Sequence, residues 1–530
     1  MDNFSSYSNK YYRLLPFVAV SFIFGIYYGL YNNSVFNLSF SALFLYTLTF
    51  VIIITTVLFI AKKFINNFFN GHQIFIVALV IFSFLTGCMR VGYYDFYQAR
   101  KLAEFENIKT TYTGVIYDEY IISNSGKSAG VPVNILYAQN ENSSANTDCR
   151  ALIYAPLDII KGLNTDDTIE FSASFLPPDN KPHSGGFSSK EYIYRSGFSY
   201  SEYVKTIELS SKHLKTSGIY YPIVKLGTFI KNKILNSIDQ CFPVKNSESA
   251  LLKGILLGYR DDFIEGQTDA FSNSGLIHIT SVSGMHIMFL VMFLAYISRR
   301  LRIYKFLNLI LFPFLFIYAA ASAFTPSVCR AILMLSFITL GCIFHREPDS
   351  YNSISASAII LLIANPYFLT SYSFILSFSS TLGIIVFSSP ITKKLCSFAK
   401  PKAVSNRIAN ATLSSTALSI SAHLGVGYFM ARFFNRFSWG SIIANIPITF
   451  LTAFTFVGGL FNVILFEIFP QPARLIAQYL LSPALWLINK IADIFSLPFF
   501  GIFLPTPPPS FFIVYVLALI LLHNYLTKPQ

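Results

Sequence analysis

Hydrophobic and polar positions divide this chain into stretches of different period. Three long apolar runs come first, Leu14 to Tyr31, Phe36 to Ile60 and Ile74 to Gly92. Each is near the length of about 20 residues that a helix needs to cross a bilayer, so residues 1–106 are predicted to hold three spans. From 107 to 213 the runs shorten and alternate. TYTGVIYDEYIIS, VPVNILYAQ, RALIYAP, DTIEFSASFLPP and FSYSEYVKTIEL read as five strands separated by Gly, Asn, Ser and Asp clusters. Five short strands in a segment of this size suit a small barrel of the OB type. Residues 214–275 are amphipathic, with Lys225, Lys231 and Lys233 among apolar neighbours, the pattern of helices lying at a membrane interface. Residues 276–530 return to membrane-grade sequence, with apolar segments at 306–323, 327–344, 353–371, 372–390, 407–431, 437–466, 473–497 and 510–526. The long 437–466 segment carries Pro447 and Gly458-Gly459 as candidate break points, and Pro470, Pro472, Pro483 and Pro498 are expected to break up the final segments. The expected fold class is a multi-pass α-helical integral membrane protein with an inserted extracytoplasmic all-β, OB-like domain.

Composition agrees with that reading and excludes a soluble globular enzyme: 53% of the 530 residues are hydrophobic and only 12% are charged. The net charge of +13 is unevenly placed. Residues 107–213 hold nine Lys/Arg against twelve Asp/Glu, a net of −3, so the rest of the chain carries +16. Basic residues cluster at Lys10 and Arg13, at Lys62 and Lys63, at Arg299, Arg300, Arg302 and Lys305, at His345 and Arg346, and from Lys393 to Arg407. By the positive-inside rule these turns are cytoplasmic and the barrel lies outside. The six cysteines form no CxxC, so no zinc or redox motif is visible, and a Cys149–Cys241 pairing stays open.

The stretch Leu276 to Leu290, LIHITSVSGMHIMFL, opens the longest membrane-grade run yet carries His278, Thr280, Ser281, Ser283, Gly284 and His286. A helix that only sits in lipid has no use for them, since each polar group at membrane depth needs a partner or water. Two satisfied histidines at a helix N-terminus are the alternative. No carboxylate or thiol stands nearby in sequence, so no metal site is assigned. Arg330, in TPSVCRAILM, opens another apolar run, and an arginine at that depth faces water, a partner or an anionic ligand, or else snorkels to the interface.

These residues carry a resemblance. Leu251 to Ile287 is similar to the signature of the ComEC family of competence proteins, through Gly275, Leu276, His278, Ser283, Gly284 and His286. Pro326, Ser327, Arg330 and Ala331 match a second family segment, and Asn365, Pro366, Phe374, Leu376, Ser377 and Phe378 a third. Pro177, Pro178, Gly186, Phe187 and Tyr192 resemble the family's stretch at the end of the barrel, and Ala444, Asn445 and Pro447 a weaker element. Many relatives continue into a metallo-β-lactamase-like domain, whose His-x-His-x-Asp-His cluster does not occur in these 530 residues. Strand degradation is therefore not expected of this chain, and no catalytic residue, metal or cofactor is assigned.

The resemblance implies a channel importing single-stranded DNA across the cytoplasmic membrane during natural transformation. It implies as partners an extracytoplasmic DNA receptor and a cytoplasmic ATPase, besides single-stranded DNA and the lipid bilayer. The expected DNA path comprises His278, Ser281, Ser283, Gly284, His286, Ser327, Arg330, Asn365 and Ser377. Candidate contacts on the OB-like domain are Arg150, Lys181, Lys190 and Arg195. Leu276 to Gln530 holds sixteen Lys/Arg and four Asp/Glu, as a polyanion path requires. The same scarcity of acids counts against an ion-coupled transporter of another substrate. An intramembrane enzyme using His278, Ser283 and His286 is the remaining alternative, although no orienting acid stands near them.

Overall fold

The computed structural model describes residues 14–31, 71–122, 127–141, 143–178, 188–210, 220–242, 244, 246–300, 302, 307–398 and 407–528. The predicted span Phe36–Ile60, the basic positions Lys10, Arg13, Lys62, Lys63, Lys305, Lys400 and Lys402, the candidate contact Lys181, and Gly186 with Phe187 lie outside these residues. The chain forms two compact units, Met1–Thr228 with Ser355–Ser371, and Phe229–Ile354 with Tyr372–Gln530. These units do not coincide with boundaries drawn at 106, 213 and 275. The 355–371 segment joins the first unit through contacts more than a hundred residues distant, which local periodicity does not reveal.

In the first unit, helices Leu14–Tyr31 and Gly71–Ala99 pack through small residues. Ser21 Oγ donates to the Val80 carbonyl at 2.6 Å and Ser83 Oγ to that of Val18 at 2.7 Å. Such close approach is how helices associate where lipid removes the hydrophobic drive. Helix Gly71–Ala99 passes through a 3-10 turn, Arg100–Phe105, toward a seven-stranded mixed sheet. Its strands are β1 (Thr110–Ile116), β2 (Ile121–Ile122), β3 (Ser128–Gln139), β4 (Ser144–Pro156), β5 (Thr168–Ala173), β6 (Tyr200–Tyr203) and β7 (Ile207–Leu209). The five segments predicted as strands overlap β1 with β2, then β3, β4, β5 and the β6/β7 pair, with β3 and β4 starting earlier than predicted.

Strand β1 pairs antiparallel with both β3 and β5, β3 pairs with β4, β4 pairs parallel with β6, and β5 pairs with β7. The two strands at the ends of this order, β6 and β7, are separated in sequence only by Val204, Lys205 and Thr206. Tyr112, Phe175 and Tyr200 are fully buried at the centre of the sheet, with Val133, Ile135 and Ile153 around them. Two short helices, Leu157–Ile160 and Ser189–Arg195, interrupt the strands.

The second unit is helical around one core that includes Leu252, Ile255, Leu256, Phe271, Leu276 and Phe456. Helix Ser247–Leu257 lies at its centre. Asn246 and Ser249 cap its start reciprocally, and Gly258, in the left-handed region at φ 75°, ends it. Helices Tyr372–Phe398 and Arg407–Phe434 cross where Gly383 meets the Ser421 carbonyl and Gly425 meets that of Ser379, so a side chain at either glycine would strike backbone. A short antiparallel ribbon, β8 (Arg436–Ser438) with β9 (Gly501–Phe503), closes one end.

Helix Gly440–Ile468 runs unbroken through Pro447 and both glycines. Pro447 lies near its start, and Gly458 and Gly459 are close-contact sites facing Leu481 and Leu252 rather than hinges. Likewise Pro470 to Phe495 forms one 26-residue candidate span. A π-turn at Ala477–Leu481 just precedes Pro483, where proline withholds an amide donor.

Among the described residues, five helices are long and apolar enough to cross a membrane, Leu14–Tyr31, Phe75–Phe105, Tyr372–Cys396, Gly440–Ile468 and Pro470–Phe495. Four shorter apolar helices accompany them: Leu311–Ala321, Pro326–Gly341, Ser350–Ala364 and Phe511–Thr527. The predicted 353–371 span ends early, at Ala364, because Asn365 and Pro366 turn the chain into a 3-10 segment, Pro366–Thr370. The protein is a helical membrane protein that carries a mixed β-sheet domain.

Candidate functional site

The polar stretch at 276–290 is not one helix. Ile277–Thr280 forms a 3-10 turn, Ser281 is extended, and a helix starts at Gly284 and runs to Arg300. Arg260 clasps the turn from below, its Nε donating to the Thr280 carbonyl at 3.2 Å and its Nη2 to that of Ile277 at 3.3 Å. His278 stands on the turn, exposed, with Nδ1 3.2 Å from the Gly275 carbonyl. The hydroxyl of Ser281 donates back to the His278 carbonyl at 3.4 Å.

His286 is fully buried. Its Nδ1 accepts the Ser283 amide at 3.1 Å and sits 3.0 Å from Ser283 Oγ. This is one half of a capping box, in which a side chain three residues on receives the cap residue's amide. Since that amide can only donate, Nδ1 is the unprotonated nitrogen and the proton sits on Nε2. Nε2 finds no partner among the described residues. The ring packs edge-on against Phe456, with centroids 5.0 Å apart.

Gly284 brings the next helix close. A Cβ there would lie 2.7 Å from Arg330 Nη2, so the guanidinium rests directly on the first residue of the Gly284–Arg300 helix. Arg330 is 8% exposed. Its Nε donates to Ser377 Oγ at 2.8 Å, Ser377 Oγ donates to Ser327 Oγ at 3.2 Å, and Nη1 lies 3.5 Å from Met334 Sδ. The Phe378 ring flanks the guanidinium at 5.9 Å. The turn that aims Arg330, Ala323 and Phe324, holds two successive non-glycine residues in the left-handed region, φ 54° and 49°, a strained conformation that the surrounding packing enforces. Ser283, Gly284, His286, Ser327, Arg330 and Ser377 are therefore drawn together, while His278 and Ser281 lie on the preceding turn.

Asn365 belongs to the first unit. It is buried, its Oδ1 accepts the Tyr367 amide at 3.0 Å, and its Nδ2 donates to the Tyr194 carbonyl at 2.8 Å. Lys190 pairs with Asp95 at 2.7 Å, and Asp95 also accepts the Tyr367 hydroxyl at 2.7 Å. Arg195 Nη1 reaches the Thr370 carbonyl at 3.4 Å. These three side chains fasten the 365–370 turn to the Ser189–Arg195 helix. Burial, then the negative charge of Asp95, pushes the Tyr194 phenol up. Arg150 is half-buried on β4, its guanidinium 5.9 Å from the Tyr117 ring. Cys149, beside it, is a free thiol that burial pushes up to about 12. Cys241 is likewise unpaired, 3.6 Å from Asn462 Nδ2.

Sequence reading missed a second polar group in the helical unit. Lys253 is almost fully buried and pairs with Asp239 at 2.6 Å and with Asp262. A lone lysine in the apolar run LLKGILL was the available signal. His423 was also missed. Its Nδ1 lies 2.8 Å from the Ser419 carbonyl and its Nε2 2.7 Å from Ser441 Oγ, within an apolar helix. Among the described residues no group of three or more His, Cys, Asp or Glu could hold a metal ion.

A sequence profile described as "Competence protein" matches residues 255–529. The chain is also similar to "ComE operon protein 3" of Bacillus subtilis (strain 168), 22% identical over 511 residues. That alignment covers 96% of this chain and 59% of the relative, so the chain spans about three-fifths of that protein's length. No solved structure matches the chain. The profile takes in Lys253's partner Asp262, the polar turn, Arg330 and Ser377, more than half of the chain in all, and on that match the chain belongs to the competence protein family of ComEC type.

Proposed function

We propose that this protein conducts single-stranded DNA inward across the cytoplasmic membrane, through the helical unit. The observation that carries this reading is how its cations are partnered. Lys233, Lys253 and Lys490 pair with carboxylates. Arg260, Arg330, Arg432, Arg436 and Arg474 bond instead to carbonyl, hydroxyl, amide or thioether groups, and among the described residues none of the five pairs with an acid. A membrane domain that keeps guanidinium groups free of acids suits a polyanion, because arginine meets phosphate with several donors at once. The scarcity of acids after Leu276 points the same way.

The β-domain supports an OB-type reading. Strand β1 lies between β3 and β5, β6 runs parallel to β4, and the β6–β7 segment reaches β4 at one end and β5 at the other, as a closing fifth strand of a small barrel does. In this reading the domain lies outside and presents the strand, with Arg150 and Tyr117 as a cation–aromatic contact. By family resemblance, an extracytoplasmic DNA receptor delivers the strand and a cytoplasmic ATPase acts with it. A catalytic role is not part of the proposal, since Nδ1 of His286 is spent on the Ser283 amide and no carboxylate orients the ring.

Uptake of labelled DNA by cells lacking the gene tests the reading. Loss of internalised label, restored by the intact gene, is expected; unchanged uptake would reject it. Cysteine labelling from outside, reaching sites in the β-domain and missing Arg300, tests the orientation.

A further inference from the structure

We propose that the Arg330–Ser377–Ser327 cluster is a binding site for a single phosphodiester group. The DNA-import reading supplies only the source of that group; the site itself follows from counting donors and acceptors. Arg330 Nε–H donates to Ser377 Oγ, and the Ser377 hydroxyl donates to Ser327 Oγ. Each hydroxyl in this row therefore uses a lone pair to accept from its predecessor and has its proton for the next. The row ends in the Ser327 hydroxyl proton and the two N–H groups of Arg330 Nη2, none of which has a partner among the described residues. Arg330 Nη2, which has no partner, is not among the sealed, unpartnered polar atoms of the described residues. The cluster ends only in donors, so its complement is a group with acceptors and no protons of its own.

Charge narrows the class. A guanidinium more than nine-tenths buried, with no carboxylate beside it among the described residues, requires a counter-anion. Two helix starts add to the demand. Ser327 lies in the first turn of the Pro326–Ile343 helix, and Gly284 is the first residue of the Gly284–Arg300 helix. Their first-turn amides lack intrahelical acceptors and carry the positive end of each helix dipole. Arginine, hydroxyl and helix N-terminal amides together form the donor set that recognises a phosphate oxyanion.

Gly284 serves the site by staying small. Arg330 Nη2 occupies the space that a Cβ at 284 would need, so Gly284→Ala must displace the guanidinium while leaving every donor in the chain.

The test uses the full chain purified in dodecyl maltoside, which contains no phosphate. Binding of an end-labelled oligothymidylate is read by fluorescence anisotropy, and co-purifying phospholipid by phosphorus content. Size-exclusion profiles check that each variant is folded. Arg330→Gln and Gly284→Ala are each expected to weaken oligothymidylate binding by about tenfold or more, the loss of one charge-assisted contact. Ser327→Ala should weaken it less, and Arg330→Lys should restore part. Unchanged oligothymidylate binding and unchanged phospholipid content in folded Arg330→Gln and Gly284→Ala overturn the site. Should those variants shed bound phospholipid yet keep oligothymidylate affinity, the phosphodiester is a lipid headgroup and the DNA assignment is overturned. If oligothymidylate binding is lost as expected but gene deletion leaves DNA uptake intact, the site stands and the import reading falls. If oligothymidylate binding is unaffected while deletion abolishes uptake, the import reading stands and the site falls.

Discussion

Replacing Lys253 by Met should destabilise the helical unit more than any other single conservative change near the polar turn. The Lys253 side chain is 3% exposed and holds two carboxylates, Asp262 at 20% exposure and Asp239 at 40%. Without the ammonium, the largely buried Asp262 loses that ion pair and Asp239 loses its own. Breaking a buried pair from one side costs about 3–5 kcal/mol, and the lower end applies here because Asp239 can turn to water. Lys253 also sits in the capped helix Ser247–Leu257, four residues before Leu257, so the effect should spread to the turn that carries His278. The assay is the midpoint of thermal inactivation by size-exclusion in detergent. A large drop for Lys253→Met is expected. The triple change Lys253→Met, Asp239→Asn, Asp262→Asn should recover most of it, because uncharged groups of similar size remove the carboxylates that Lys253 offsets. If the single variant melts within about 0.5 kcal/mol of the parent, as ordinary surface changes do, the triad is not a buried charge network and this account of the motif fails.

Two further outcomes concern the β-domain. Cys149 is fully buried with its thiol pushed up to about 12, so it should resist maleimide until the domain unfolds. Rapid labelling of the native protein at Cys149 would contradict the packing. Burial pushes the Glu191 carboxyl up, with Arg195 opposing. A carboxyl raised in the folded state contributes stability below its unfolded pKa and loses it as pH rises through the folded value. Glu191→Gln should therefore raise the melting point at neutral pH but not in acid, and a gain confined to acid would reverse the sign.

The periodicity of the sequence was sufficient for the strands and most apolar helices, because alternation and long apolar runs follow from burial on one face or in lipid. The family segments were legible as well, and each has a geometric reason. Gly258 ends a helix in the left-handed region, Arg260 clasps the 277–280 turn, and Gly284 admits Arg330. The features that the sequence concealed depend on contacts far along the chain. Asn365, Lys190 and Arg195 read as candidate DNA contacts; what the sequence does not reveal is that Asn365 and Arg195 join the 365–370 turn to the Ser189–Arg195 helix across more than 170 residues and that Lys190 pairs with Asp95. The prolines at 447 and 483 read as breaks, whereas Pro447 lies inside the unbroken Gly440–Ile468 helix and a π-turn just precedes Pro483. His286 illustrates the ambiguity of a polar residue in an apolar run. Its spacing from Ser283 fits a nucleophile pair and a helix cap equally, and its Nδ1 lies beside both the Ser283 amide and the Ser283 hydroxyl.

The most direct measurement is photocrosslinking of DNA caught in transit. A photoreactive amino acid is placed at Ser281, on the polar turn, at Ser327, beside Arg330, and at exposed apolar positions Phe450 and Ile464 of the Gly440–Ile468 helix. Cells are given labelled transforming DNA, illuminated, and the protein is recovered. Strong crosslinks from 281 and 327, absent from 450 and 464, are expected if the strand passes the donor-lined cluster. Crosslinks confined to 450 and 464, or none at any position in cells that still take up DNA, would contradict the account.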